Sequence, residues 1–295
     1  MARLIVSQCH RWEVFMWEEA SEKRPLQPSG DTRDMTMVQE DAPLCLQEVL
    51  PEEIWDGAEQ ELTRPRLRRF HTSGTVKSNP FRLLRSALNL SELSLVLALR
   101  IPSQILPLTP IMHTGIRLLD VVWNSFHIID HLSLPQLKTL GIAPLNFSKV
   151  VAFLRRSGCT LETLRIRNPR PLDARSTQIL DATPHLKNLS LRWTMETVPG
   201  ANNFDNHVSI LDKLVVQEDQ PILLPSLESL LIEIDESFRP QTLVRMLKLR
   251  NRQNKCQLLR NVEIRRRDED FSLAGVKSYM SAHGKELSNV QISYL

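Results

Sequence analysis

The hydrophobic positions of this chain recur in a short phrase, a leucine followed at the third and fifth residues beyond it by further aliphatic side chains. Leu137-Lys-Thr-Leu140-Gly-Ile142, Leu161-Glu-Thr-Leu164-Arg-Ile166, Leu186-Lys-Asn-Leu189-Ser-Leu191 and Leu211-Asp-Lys-Leu214-Val-Val216 follow one another at intervals of 24 or 25 residues. Drifted copies continue as Leu227-Glu-Ser-Leu230-Leu-Ile232, Leu259-Arg-Asn-Val262-Glu-Ile264 and Leu287-Ser-Asn-Val290-Gln-Ile292. Weaker text precedes them at Leu67 to Phe70, at Leu90, Leu93 and Leu95, and at Leu118 to Trp123. The end of most phrases alternates apolar and polar, which is the period of a half-buried strand.

Between phrases the apolar period lengthens to about 3.6, that of a helix packed on one side. The segment from Ser148 to Gly158 predicts a helix with Ser148 as N-cap, Val150, Val151 and Leu154 on one face, and Gly158 as its stop. Similar text runs over Asn79 to Ala87, Asp173 to Leu180, Pro240 to Arg250 and Phe271 to Met280. Pro240 suits a first turn, and the basic residues near Arg250 suit a last one. Only 16 residues separate Leu211 from Leu227, so two strands joined by a direct turn are expected there.

One strand and one helix cannot bury their own apolar faces, but a stack of such units can. The pattern therefore predicts an α/β leucine-rich-repeat-like solenoid, a horseshoe with a parallel sheet on the concave face and helices on the convex face. The competing expectation is an α/β domain whose parallel sheet has ordinary connectivity. Residues 67–295 form the repeat domain on this reading. Residues 1–66 form an irregular N-terminal cap region, with a strand remnant at Arg3 to Val6, an edge strand within His10 to Trp17 and a flexible loop at 27–40.

Composition narrows the class. With 42% hydrophobic and 24% charged residues, the chain of 295 residues has the make-up of a globular protein rather than a disordered one. No apolar run reaches the roughly 20 residues that cross a bilayer, and the N-terminus lacks the marks of a signal peptide. An intracellular protein, cytoplasmic or nuclear and without a membrane partner, is expected. Cys9, Cys45, Cys159 and Cys256 are scattered without a Cys-x-x-Cys pair, which fits reduced thiols. Pro135, Pro184 and Pro225 stand just before phrases and read as punctuation between units.

No catalytic constellation is visible. His127 and His131 flank Asp130 but lack the third ligand and spacing of a metal site. The nine glycines form neither a dinucleotide fingerprint nor a phosphate loop. The chain is accordingly read as non-enzymatic, with no metal and no cofactor. Basic runs at Arg64 to Arg69 and Arg260 to Arg267 carry no interleaved aromatics, and the formal charge is only +3, so nucleic acid is not the expected partner.

What remains is the row of strand positions facing away from the core. Thr163, Arg165, Arg167, Asn188, Ser190, Arg192, Lys213, Val215, Leu231, Glu233, Glu263 and Arg265 are the candidate protein-binding residues. Trp123 and Trp193 near strand ends are candidate anchors. Side chains held in register on a sheet bind with little ordering cost, and arginines around apolar anchors are common at binding hot spots.

Three stretches resemble the leucine-rich-repeat portion of the basidiomycete F-box-like proteins: Ser157-Gly-Cys159-Thr-Leu161-Glu-Thr-Leu164, Thr183-Pro184-His-Leu186-Lys-Asn-Leu189, and Leu224-Pro225-Ser-Leu227-Glu-Ser-Leu230 with the helix ending at Arg252. His10-Arg11-Trp12 is similar to a segment found in that family after the F-box. The resemblance implies the substrate-recognition half of a ubiquitin-ligase adaptor, with no catalytic residue of its own and a Skp-type adaptor as partner where an F-box is present. The chain departs from the family there. Leu50-Pro51-Glu-Glu-Ile54-Trp55 matches the opening of an F-box, but Asp56 to Phe70 does not continue its helical pattern. The alternative is a stand-alone repeat scaffold or inhibitor-like binder.

Overall fold

The structure is a computed structural model. It describes residues 14–18, 67–73, 80–96, 106–121, 126–143, 147–167, 174–192, 211–215, 222–234, 238–252, 256, 258–266 and 272–295. Expectations for Arg3 to Val6, the loop at 27–40, Leu50 to Trp55, Trp123 and Trp193 fall outside these residues.

The strands are β1 (Val14–Glu18), β2 (Arg69–Ser73), β3 (Glu92–Val96), β4 (Ile111–Met112), β5 (Leu118–Val121), β6 (Leu132–Ser133), β7 (Thr139–Ile142), β8 (Thr163–Arg167), β9 (Asn188–Arg192), β10 (Ser229–Ile234), β11 (Asn261–Arg266) and β12 (Gln291–Tyr294). The helices are α1 (Pro80–Ser86), α2 (Phe126–Ile129), α3 (Phe147–Ser157), α4 (Ala174–Asp181), α5 (Pro240–Arg252) and α6 (Ala274–Ala282). Ten strands make one parallel sheet in the order β1-β2-β3-β5-β7-β8-β9-β10-β11-β12. Each is laid beside its predecessor and none returns past it, so the order never reverses as it does in a doubly wound sheet. The expected edge strand is β1, paired with β2 through Val14 and Arg69. The short β4 and β6 pair apart from the main sheet through Ile111 and Leu132.

The phrases explain this stacking. In-register pairing aligns Leu93, Leu119, Leu140, Leu164, Leu189, Leu230 and Val262 into one apolar row. Leu95, Val121, Ile142, Ile166, Leu191, Ile232 and Ile264 form a second, and every member of both rows is buried. These rows share a core with the apolar faces of the helices, among them Val150, Phe153 and Leu154 of α3 and Leu243, Met246 and Leu247 of α5. Burying each such side chain contributes about 1.5–3 kcal/mol, a gain that an isolated unit could not realise. Before each strand the ladder is extended by one residue: the amides of Lys138, Glu162, Lys187, Glu228 and Arg260 donate to the carbonyls of Arg117, Lys138, Glu162, Lys187 and Glu228.

Two local expectations are corrected. The Leu211 phrase is not a strand: residues 211–214 are helical, Val215 N–H donates to the Leu211 carbonyl at 3.1 Å, and β9 pairs directly with β10. Leucines three apart lie on one face of a helix as readily as they open a strand phrase. Here Leu211 and Leu214 are buried while Asp212 and Lys213 are exposed. The direct turn expected between strands at 211 and 227 therefore does not occur, and one longer unit joins β9 to β10. The second correction is smaller. Helix α3 begins at Phe147, so Ser148 lies inside its first turn rather than capping it. Its end is as expected, with Gly158 at φ +59° donating to the Leu154 carbonyl at 3.0 Å.

Helix ends also reach back to the unit before. Arg156 donates from Nε to the Leu132 carbonyl at 2.8 Å and from Nη2 to the Ile129 carbonyl at 2.5 Å. Ser157 Oγ accepts from Leu134 N–H at 3.1 Å. Arg250, which is fully buried, donates from Nη1 to Leu223 O at 3.0 Å and from Nη2 to Leu224 O at 2.6 Å. Leu224 adopts φ +49°, so this arginine clasps a turn in a strained left-handed conformation.

Candidate functional site

The face of the sheet opposite the core is formed by the alternate strand positions. Parallel register sets them out in rows with neighbours about 4.8 Å apart. One row reads Asp120, Gly141, Arg165, Ser190, Leu231 and Glu263 from β5 to β11. The row beyond pairs Arg167 with Arg192 and Glu233 with Arg265. Ten of the twelve sequence candidates lie on this face. Lys213 and Val215 do not, because their segment is helical and outside the sheet; Lys213 is exposed, and Val215 packs against the core.

Arg167 and Arg192 stand directly opposite each other, an arrangement that repels. Arg167 is neutralised from two strands away: its Nη2 meets Asp120 Oδ2 at 2.5 Å. The reach crosses β7 at Gly141, where a Cβ would lie 2.5 Å from Asp120 Oδ1. Glycine in a strand leaves room for this kind of close crossing. Gly141→Ala should force the carboxylate aside and weaken the Arg167 pair, lowering stability by about 1–2 kcal/mol in urea unfolding. In an Asp120→Ala background the same alanine should cost almost nothing, and an equal loss in both backgrounds would place the strain elsewhere.

Arg192 is partly buried. Burial, then the neighbouring Arg265, pulls its guanidinium below the usual range; Glu233 opposes them, while Arg165 and Arg167 add to the repulsion. Its Nε is buried and has no hydrogen-bond partner among the described residues. Arg265 is paired with Glu263 on its own strand. Arg165 is exposed and forms no ion pair with a carboxylate among the described residues. Ser190 differs from expectation: it is 9% exposed, and its Oγ has no partner among the described residues. Asn188 donates to Thr163 Oγ1 at 3.2 Å, and Leu231 remains partly exposed beside Ser190.

The histidine pair does not converge on a metal. His127 is exposed on α2, the His131 ring packs edge-on against Phe81, and Asp130 binds Lys149 at 2.5 Å. Cys159 is partly buried, which pushes its thiol up and away from the thiolate form. Among the described residues no three His, Cys, Asp or Glu side chains are grouped to hold a metal ion, and no helix is long and apolar enough to cross a membrane.

Sequence reasoning missed Asp120, which lies 47 residues from Arg167. A signal was present, because Gly141 occupies an outward strand position where a side chain would otherwise stand. No protein-family model matches this chain, and no curated protein matches it either.

Proposed function

We propose that this chain is a non-catalytic protein-binding module, a leucine-rich-repeat-like solenoid that docks a protein partner on the concave, outward face of its sheet. The observation that supports this reading most is the fixed register of that face. Arg165, Ser190 and Leu231 stand on adjacent strands in one row, with Arg192 in the next. Backbone pairing on both sides holds these strands, so a partner meets groups already ordered and little entropy is lost on contact. The partly exposed Leu231 supplies an apolar contact with arginines around it, the chemistry common at binding hot spots.

By its resemblance to F-box-like proteins, the module would select substrates for a ubiquitin ligase, with chemistry left to recruited enzymes. A Skp-type adaptor belongs to that scheme only if an F-box accompanies the repeats. The broken F-box phrase after Trp55 favours the second reading, a stand-alone scaffold or inhibitor-like binder. Capture from native extract tests both. A stoichiometric partner is expected on the wild-type protein and should be lost from the triple variant Arg165→Glu, Arg192→Glu, Leu231→Glu, whose circular dichroism and melting should match wild type. Full recovery on the folded variant would sink the docking face. Co-recovery of a Skp-type adaptor and cullin supports the ligase reading, and a partner without them supports the scaffold.

A further inference from the structure

We infer that the β8–β9 part of this face receives a carboxylate side chain of an acidic protein segment, seated between Arg165 and Arg192 over the hydroxyl of Ser190. The inference rests on the docking face proposed above and specifies the chemistry of its occupant.

Charge on the face is uneven. Arg167 is engaged by Asp120 and Arg265 by Glu263, while Arg165 forms no such pair among the described residues. Three arginines thus crowd onto two adjacent strands; Asp120 from β5 pairs with Arg167, and Glu233 from β10 opposes the repulsion at Arg192. An anion placed among them converts mutual repulsion into charge-assisted hydrogen bonding. Unpaired donors lie there: Ser190 Oγ and Arg192 Nε are both buried and lack hydrogen-bond partners among the described residues. Buried polar groups are ordinarily satisfied, so unpaired ones beside an unpaired arginine mark a place where a ligand completes the bonding.

The surroundings choose among anions. Glu233 and Glu263 lie on β10 and β11, immediately beside the arginine cluster. A continuous phosphate backbone crossing the strands would run into them within about 10 Å, given the strand spacing. A polynucleotide also favours aromatic platforms, and among the described residues β8, β9 and β10 hold no aromatic side chain. One or two carboxylates fit between these flanking acids, and Leu231 beside Ser190 can take the methylene carbons that carry them.

The probe is a fluorescently labelled peptide carrying two adjacent aspartates among neutral residues, followed by anisotropy on the intact chain. Binding that weakens with salt is expected, reduced about tenfold or more in Arg165→Gln/Arg192→Gln. Ser190→Ala should weaken it severalfold without lowering the urea midpoint, because the hydroxyl has no hydrogen-bond partner among the described residues. Three results would overturn the inference: no binding by the folded wild type, unchanged binding by the arginine variant, or tighter binding of oligothymidylate or inorganic phosphate at the same residues. A captured partner lost with Leu231→Glu but kept by Arg165→Gln/Arg192→Gln would overturn this inference and leave the docking face standing. One kept by both variants would overturn the face itself.

Discussion

Leu164→Asp is expected to abolish cooperative folding. Leu164 is fully buried, in register between Leu140 and Leu189 on the strands to either side. The substitution forfeits about 1.5–3 kcal/mol of apolar burial and places a carboxyl group where no donor can reach it, adding a desolvation cost of several kcal/mol. The sum rivals the roughly 5–15 kcal/mol that holds a typical domain together. Position adds to the damage, because β8 has four or more sheet strands on each side and each depends on its neighbour. Far-ultraviolet circular dichroism should show lost structure and no sharp thermal transition. Falling pH should recover part of it: the buried carboxyl has a raised pKa in the folded state, so protonation favours folding. Leu164→Met, similar in volume, should cost less than about 1.5 kcal/mol. An aspartate variant within about 1 kcal/mol of wild type would remove Leu164 from the core.

The second large effect is expected at Arg250. Its guanidinium is buried, which draws its pKa below the usual range, and among the described residues no carboxylate balances it. Two outcomes compete. Arg250→Met fills similar volume and removes the cost of a desolvated charge, and such exchanges sometimes stabilise. It also strips the Leu223 and Leu224 carbonyls of their donors and frees a turn held at φ +49°. We expect the second effect to win, with a net loss of about 2–4 kcal/mol, because each buried carbonyl left unpaired costs about 1–3 kcal/mol. Arg250→Lys should rank near Met, since a single ammonium cannot match the fork that spans both carbonyls. Urea midpoints rank the three proteins, and amide exchange at Leu224, Ser226 and Leu227 locates the loss. A methionine variant as stable as wild type would mean that the guanidinium costs the fold what its bonds return.

Leu164 and Arg250 show where the sequence was informative and where it was not. The strand rows were legible at Leu137, Leu161 and Leu186 because three apolar positions in each phrase satisfy only one geometry once neighbours stack. The Leu211 phrase satisfied two, and the choice between them was made by packing that local text does not encode. Arg250 read as an ordinary basic residue near a helix end, where the dipole favours it. Nothing in its neighbours separates that role from the buried clasp it forms. Arg165, Arg192 and Leu231 were identifiable as outward by simple alternation, but the unpaired hydroxyl of Ser190 depends on how the flanking side chains lie. Asp120 needed a contact across 47 residues, though the glycine it crosses was in plain view.

The single-file order of the ten strands has a consequence for how such a protein can be rebuilt. A sheet that never doubles back can be lengthened or shortened by splicing in whole units, with the two new junctions alone needing to match. Most junctions are equivalent in this respect. Those on the two sides of β7 are not, because Asp120 on β5 reaches over β7 to Arg167 on β8. An insertion there would carry the acid one strand too far from its arginine, whereas one between β10 and β11 would separate no pair that reaches over a strand among the described residues. The face is modular along most of its length and stitched at one place.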